Sequence, residues 1–149
     1  MTHFEDLYTP EQRQLAEHLI GLEKSALDKW FDGDVSGYRE LWSRRNFSYF
    51  DGANTDRVDD HETIDRFLVE LEGKLHADAY DFRNPRVQFG VDMALLTFQL
   101  YSDTNLIDMK YNCIELYQKE EDSHWRIVHS TWSFIRPMDM EFGSTEKIV

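Results

Sequence analysis

The sequence predicts an α+β domain, with helices in its first half and an antiparallel sheet in its second. Three observations carry this. Apolar residues recur at helical spacing as far as Leu75, and from there the period drops to that of a strand and stays there. The breaks between the later apolar runs, Gly90-Val91-Asp92, Asp103-Thr104-Asn105 and Glu120-Glu121-Asp122-Ser123, are of hairpin size. The 149 residues, 41% hydrophobic and 14% aromatic, furnish one core and not two. Helices followed by hairpin-linked strands give an antiparallel sheet covered by helices, not an alternating parallel fold.

Each element has its own signal. Thr9-Pro10-Glu11-Gln12 is a helix start, with Thr9 as N-cap, Pro10 at the first helical position and Gln12 reaching back as a capping box. Leu15, Leu19, Leu22, Ala26 and Trp30 then recur on one face, and Ala16, Ile20, Leu27 and Phe31 widen it. Gly33 ends that helix, and Asp34 caps a shorter one carrying Val35, Tyr38, Leu41 and Trp42. Phe47 to Asp51 reads as a short strand closed by Gly52. Asp59 to Glu62 offers a capping box for a third helix marked by Ile64, Phe67, Leu68, Leu71 and Leu75. Val87–Phe89, Met93–Tyr101, Ile107–Tyr117 and Trp125–Phe134 are the remaining strands. One domain is expected over 1–149, its core spanning about 10–136 and its polar tail, 138–149, loose.

The strand at 93–101 is apolar on both faces: Ala94, Leu96, Phe98 and Leu100 on one, Met93, Leu95, Thr97, Gln99 and Tyr101 on the other. A sheet with one wet face would show a clean polar side. Three helices cover one face, so the other calls for a second copy, a homodimer through the outer sheet face.

Charge excludes several roles. Lys plus Arg is 16 and Asp plus Glu is 29, a formal net charge of −13, with no basic stripe to offset it. Such a surface repels phosphate backbones and anionic lipids, so neither nucleic acid nor membrane is expected as a partner. The N-terminal Thr2-His3-Phe4-Glu5-Asp6 is acidic where a secretory signal is basic and then apolar. The longest uncharged apolar stretch, Met93 to Ser102, falls far short of the ~20 residues that span a bilayer, and a cytoplasmic location is the expectation. The single cysteine, Cys113, lies in an apolar strand with no basic neighbour and reads as inert packing. The six histidines form no HExxH or His-x-His, so neither metal nor cofactor is expected.

The element order α-α-β-α-β-β-β-β, the Trp30-Phe31-Asp32-Gly33-Asp34 turn, Leu41-Trp42, Ser48-Tyr49-Phe50-Asp51, Val58-Asp59-Asp60-His61-Glu62-Thr63-Ile64 and the closing Trp125 to Ser133 segment resemble the nuclear transport factor 2-like superfamily. Within it the chain looks like the SnoaL-like group of small domains, a cystatin-like cone of curved sheet closed by helices. The match covers residues 12 to 136. It implies a pocket between sheet and helices, and dimers packed through the sheets. It leaves function open, because isomerases, dehydratases, polyketide cyclases, ligand binders and kinase association domains share the fold.

Against that background Asp51 sits where the resemblance to ketosteroid isomerase places the general-base aspartate, with one extra residue between Asp34 and Asp51. The alternative is an Asp that caps its own turn before Gly52. The isomerase's helix-1 tyrosine falls on Ala26 here, so an oxyanion donor has to come from Tyr111, Tyr101 or His129. His129, in phase with Trp125, Ile127, Thr131 and Ser133, reads either as a pocket acid or donor or as a hydrogen-bonded structural histidine. Arg83 beside Asn84-Pro85-Arg86 protects a sheet edge or pairs with a surface acid. Trp30, Trp42, Tyr49, Phe67, Tyr111 and Trp132 are the candidate walls of a pocket for a small, mostly apolar molecule. The two functions in view are therefore a ligand-binding domain, with cofactor-free isomerase, dehydratase or cyclase chemistry by Asp51 and His129, and a non-catalytic association module.

Overall fold

The computed structural model describes residues 3–135, so the expected tail, 138–149, lies outside the described residues. Helix α1 runs Pro10–Trp30, α2 Ser36–Leu41 and α3 His61–Leu71; the strands are β1 Ser48–Asp51, β2 Asp81–Phe89, β3 Met93–Asp103, β4 Asp108–Lys119 and β5 Trp125–Phe134. The sheet order is β1-β5-β4-β3-β2, and the helices cover one of its faces. The α+β architecture and the helix–strand order are those expected.

Helix α1 begins as the sequence dictates: Thr9 Oγ1 accepts from Gln12 N at 3.1 Å, and Gln12 Oε1 accepts from Thr9 N at 3.0 Å. It ends at Gly33, whose φ of +81° suits glycine and whose backbone meets that of Gly73 behind α3, the Gly73 N–H donating to Gly33 O at 2.8 Å. Asp34 accepts from Ser36 N at 2.9 Å, but Val35 holds the cap position of α2, its N–H donating to Glu72 across the turn at 3.1 Å. The cap of α3 is Asp60, accepting from Thr63 N at 2.7 Å, and not Asp59, which pairs with Arg57 instead. Leu75, expected on α3, is buried in the loop beyond it.

Two features of the sheet differ from the reading of the sequence. The sheet is mixed, not wholly antiparallel: β2 to β5 form an antiparallel meander, but β1 runs parallel to β5. Residue period fixes which side chains share a face and carries no information on strand direction; β1 reaches β5 through α3 and three other strands, so no hairpin dictates its sense. Strand β2 starts at Asp81, six residues before the expected Val87, because a bulge between Arg83 and Arg86, with Asn84 at φ +53°, absorbs Pro85 at the sheet edge. Arg83 pairs with Asp81 there and stacks 4.2 Å over the Tyr101 ring, the edge-protecting role.

Alternation along β3 resolves the two faces. Ala94, Leu96, Phe98 and Leu100 are buried under the helices, and Met93, Leu95, Thr97, Gln99 and Tyr101 are half-buried on the outer face. Leu19, Leu27 and Leu68 fill the space above them, each fully buried apolar side chain contributing about 1.5–3 kcal/mol relative to exposure.

At Val87 the free edge of β2 is covered by the side chain of Tyr8. The Tyr8 hydroxyl donates to Val87 O at 2.6 Å and accepts from Val87 N at 3.2 Å, taking the place of a neighbouring strand. Tyr8→Phe leaves both backbone groups of Val87 without that partner. It is expected to cost about 1–3 kcal/mol in denaturant unfolding; a loss below 0.5 kcal/mol, itself about the scatter of neutral substitutions, would show that water serves the edge equally well.

Candidate functional site

The inner face of β1, β4 and β5, the ends of α1 and α2, and one side of α3 enclose a pocket of about 520 Å³. That volume lies within the range of small-molecule sites. Its walls are aromatic: Trp30, Tyr38, Trp42, Tyr49, Tyr111 and Trp132, with Phe67 at the mouth. Every wall residue expected from the sequence, Trp30, Trp42, Tyr49, Phe67, Tyr111 and Trp132, therefore lies on one cavity, joined by Tyr38. The rings meet at right angles, Trp30 on Tyr38 at 5.6 Å, Tyr38 on Trp132 at 6.0 Å and Tyr111 on Trp132 at 5.7 Å between centroids. Phe134 stacks on Tyr111 at 5.2 Å and lies over Gly52, where a Cβ would come within 2.1 Å of its ring.

Asp51 lines the same pocket and caps its own turn as well. Its Oδ1 accepts from Ala53 N, Asn54 N and Asn54 Nδ2 at 2.8–2.9 Å, which fills that oxygen; among the described residues Oδ2 accepts only from the Tyr49 hydroxyl, at 2.8 Å. One oxygen thus anchors the turn and the other retains capacity for a ligand. Burial and the Asp51 charge push the Tyr49 phenol well up, so it stays a donor, and the same two causes raise Tyr111.

His129 is not brought to Asp51. A bulge where Leu116 and Tyr117 face His129 and Ile127 places Val128 out of register and breaks the phase that linked His129 to Trp125 and Ile127. Beyond it Ser130 and Trp132 face inward. His129 lies on the outer face with Ser48 and Thr131, its Nδ1 2.7 Å from Ser48 Oγ and its Nε2 2.6 Å from Thr131 Oγ1, edge-on to Phe50. Partial burial, helped by Arg57, lowers its pKa. Tyr101 is on the outer face too, so of the expected oxyanion donors only Tyr111 reaches the pocket.

The structure adds a pair of carboxyls that were not singled out. Glu23 of α1 and Glu115 of β4 are fully buried in the core. Glu23 accepts from the Tyr38 hydroxyl at 2.5 Å and from the Tyr117 hydroxyl at 3.0 Å; neither carboxyl oxygen of Glu115 has a hydrogen-bond partner by geometry. The signal was in the sequence: Glu23 shares the helical phase of Leu19, Ala26 and Leu27, and Glu115 alternates with Cys113 and Tyr117. Burial pushes Glu23 up to about 7 from an ordinary 4.5, and burial with the neighbouring Glu23 charge raises Glu115 well above its ordinary value. Burial raises the Cys113 thiol as well, in keeping with inert packing. Among the described residues no three His, Cys, Asp or Glu side chains converge as metal ligands, and no helix is long and apolar enough to cross a membrane.

Three helices on an open five-stranded sheet with a pocket between the layers match the fold of nuclear transport factor 2-like proteins, as the resemblance implied. No family model and no curated protein sequence matches it. Solved structures do. A candidate ketosteroid isomerase from Parabacteroides distasonis ATCC 8503 is 28% identical with a TM-score of 0.74, over 89% of this chain and 96% of that one. An NTF2-like protein of unknown function from Pseudomonas putida KT2440 is 13% identical with a TM-score of 0.71, over 85% and 91%. The CaMKII hub of S. rosetta is 17% identical with a TM-score of 0.64, over 86% and 98%.

The buried pair sets a pH dependence whose sign follows from the raised pKa values. Folded, both carboxyls hold their protons above the pH at which the unfolded chain releases them, so between 4.5 and about 7 unfolding releases protons. Their contribution to stability is complete below 4.5 and is lost as pH rises through 7, further still for Glu115. The His129 contribution has the opposite sense, present above 6.5 and lost as pH falls below it. Glu115→Gln, which cannot ionise, should raise the melting temperature at pH 8 by at least about 2–4 °C, the change expected for 1 kcal/mol, and flatten its fall between pH 5 and 8. An unchanged slope would mean that the carboxyl ionises freely in the folded protein.

Proposed function

We propose that this chain binds a small, mostly apolar organic molecule in the aromatic pocket, with Asp51 as its polar anchor. The observation that carries this is the convergence of seven aromatic side chains and the Asp51 carboxylate, with Glu70 also on the lining, on a single 520 Å³ cavity. Unlike a core aromatic stripe, these rings face space large enough for a ligand. Any proton transfer in this pocket falls to Asp51 Oδ2 as base, the oxygen with capacity to spare, with the Tyr49 and Tyr111 phenols as donors. The isomerase name carried by the Parabacteroides protein supports that chemistry. His129, on the far side of the sheet, has no part in it.

Titration with 2-naphthol, a neutral aromatic probe, tests the pocket through tryptophan fluorescence. Quenching should saturate, and Trp132→Leu and Phe67→Ala should each weaken binding about tenfold or more, a loss of about 1.4 kcal/mol. His129→Gln should leave it unchanged. Quenching indifferent to Trp132 and Phe67 would move the ligand elsewhere and overturn the reading.

A second reading, association, rests on the outer sheet face. Phe50 and Ile114 are exposed there beside half-buried Leu95 and Leu116, an apolar strip that β3 alternation leaves uncovered. The hub and association-domain names among the structural neighbours support self-assembly, and the strip favours a homodimer through this face. Light scattering should give twice the 17.8 kDa of one chain at micromolar concentration, and Ile114→Asp should return it to 17.8 kDa. A wild-type monomer overturns the association reading and leaves the pocket standing.

A further inference from the structure

We propose that the ligand of this pocket is an organic cation, an alkyl- or aryl-ammonium group seated among the rings with Asp51 as its counter-ion. This rests on the pocket reading above and makes it chemically specific.

Four observations point to positive charge. First, the rings form corners: Trp30 stands at 85° to Tyr38, Tyr38 at 83° to Trp132, and Trp132 at 85° to Tyr111. Rings set perpendicular to one another bound the cavity in more than one plane, and an aromatic face is the negative end of the ring's quadrupole.

Second, two of the phenols donate to carboxylates. The Tyr38 hydroxyl is bonded to Glu23 and the Tyr49 hydroxyl to Asp51. A phenol that donates a hydrogen bond to an anion gains electron density in its ring, so the Tyr49 face is more attractive to a cation than that of an isolated tyrosine.

Third, the protein's own cations are spent elsewhere. The four cation–ring contacts among the described residues fall on Phe4, Phe82 and twice on Tyr101, and none on a pocket ring. Among the described residues the pocket rings carry no cation, although Lys74 lies on the lining.

Fourth, the charges of the lining favour the same sign. Asp51 and Glu70 stand against Lys74 at the mouth, and the whole chain carries −13, which draws cations toward the opening. An anionic ligand would meet two carboxylates and one exposed lysine. A neutral one would use Asp51 Oδ2 as a hydrogen-bond acceptor at most and leave its charge without a counter-ion.

Two probes of the same shape isolate the charge: (4-hydroxyphenyl)trimethylammonium and its neutral isostere 4-tert-butylphenol. Each is titrated into the full chain by tryptophan fluorescence and calorimetry at low salt. The cation should bind at least about tenfold more tightly than the isostere, the scale of a desolvated cation–ring contact with a counter-ion. Asp51→Asn should remove most of that preference while leaving the isostere's affinity within about twofold of wild type, and raising the salt should reduce it. Because Asp51 also caps a turn, Glu70→Gln at the mouth serves as a variant free of that role and should cut the preference in the same direction. If the isostere binds as tightly as the cation, the cation inference fails and the apolar pocket stands. If neither binds at millimolar concentration, while 2-naphthol does, the cation inference again fails alone; if no aromatic probe binds, both readings fall together.

Discussion

Glu23 holds three elements at one point. Lying on α1, it receives the hydroxyl of Tyr38 from α2 and that of Tyr117 from β4, so two helices and the sheet meet on one buried carboxylate. Removing a carboxyl group from water is costly, and two hydrogen bonds offset that cost only if their donors are fixed. Fixing Tyr38 has a consequence beyond the core, because its ring stands between Trp30, Trp42 and Trp132. The floor of the pocket is therefore set from behind, by a bond inside the core. Among the described residues Glu115, on the same inner face, and the indole N–H of Trp42 have no hydrogen-bond partner, so this polar seam is incompletely satisfied there. Natural cores rarely keep such groups, and where they do the groups tend to sit next to function.

The inner face of the sheet lines the pocket and the outer face carries His129, Phe50 and Ile114, and one residue divides the two. At Val128 the strand gains a residue relative to β4, and everything beyond it changes sides. Trp132 comes inward to meet Tyr111 and Tyr38, and Ser130 accepts its indole N–H at 2.8 Å. His129 goes outward into two hydroxyl contacts. Without the bulge the last strand would aim His129 at the pocket and Trp132 at the outer face. The parallel pairing of β1 with β5 then sets Tyr49 beside Ser130 and Asp51 beside Trp132, which completes the wall.

This explains how far the sequence could be read. Helical phase and strand alternation are written in the spacing of apolar residues, so the element order, the pocket walls and the side of α1 that is buried were all legible. Glu23 and Glu115 were equally legible, as charged residues in phase with buried apolar ones, and needed only to be weighed as departures from pattern. The bulge was not: both sides of Trp125–Phe134 are rich in apolar residues, and its one trace is the consecutive burial of Ile127 and Val128. Strand direction was not legible either, since alternation is identical in parallel and antiparallel pairs.

Asp51 shows why a site residue in this fold resists assignment by type alone. The two readings of it, turn cap and pocket carboxylate, proved compatible, because a carboxylate has two oxygens and here each does a different job. Oδ1, saturated by the turn, fixes the side chain's position; Oδ2, held by one phenol, presents a charge to the cavity at a fixed place. A group positioned in this way suits electrostatic recognition, where preorganisation spares the cost of ordering the group on binding. It equally suits a base, provided that a carbon acid can approach Oδ2 without displacing Tyr49. The difference between a binder and an enzyme in this pocket thus reduces to the occupancy of one lone pair, a far narrower distinction than the range of activities the shared fold supports.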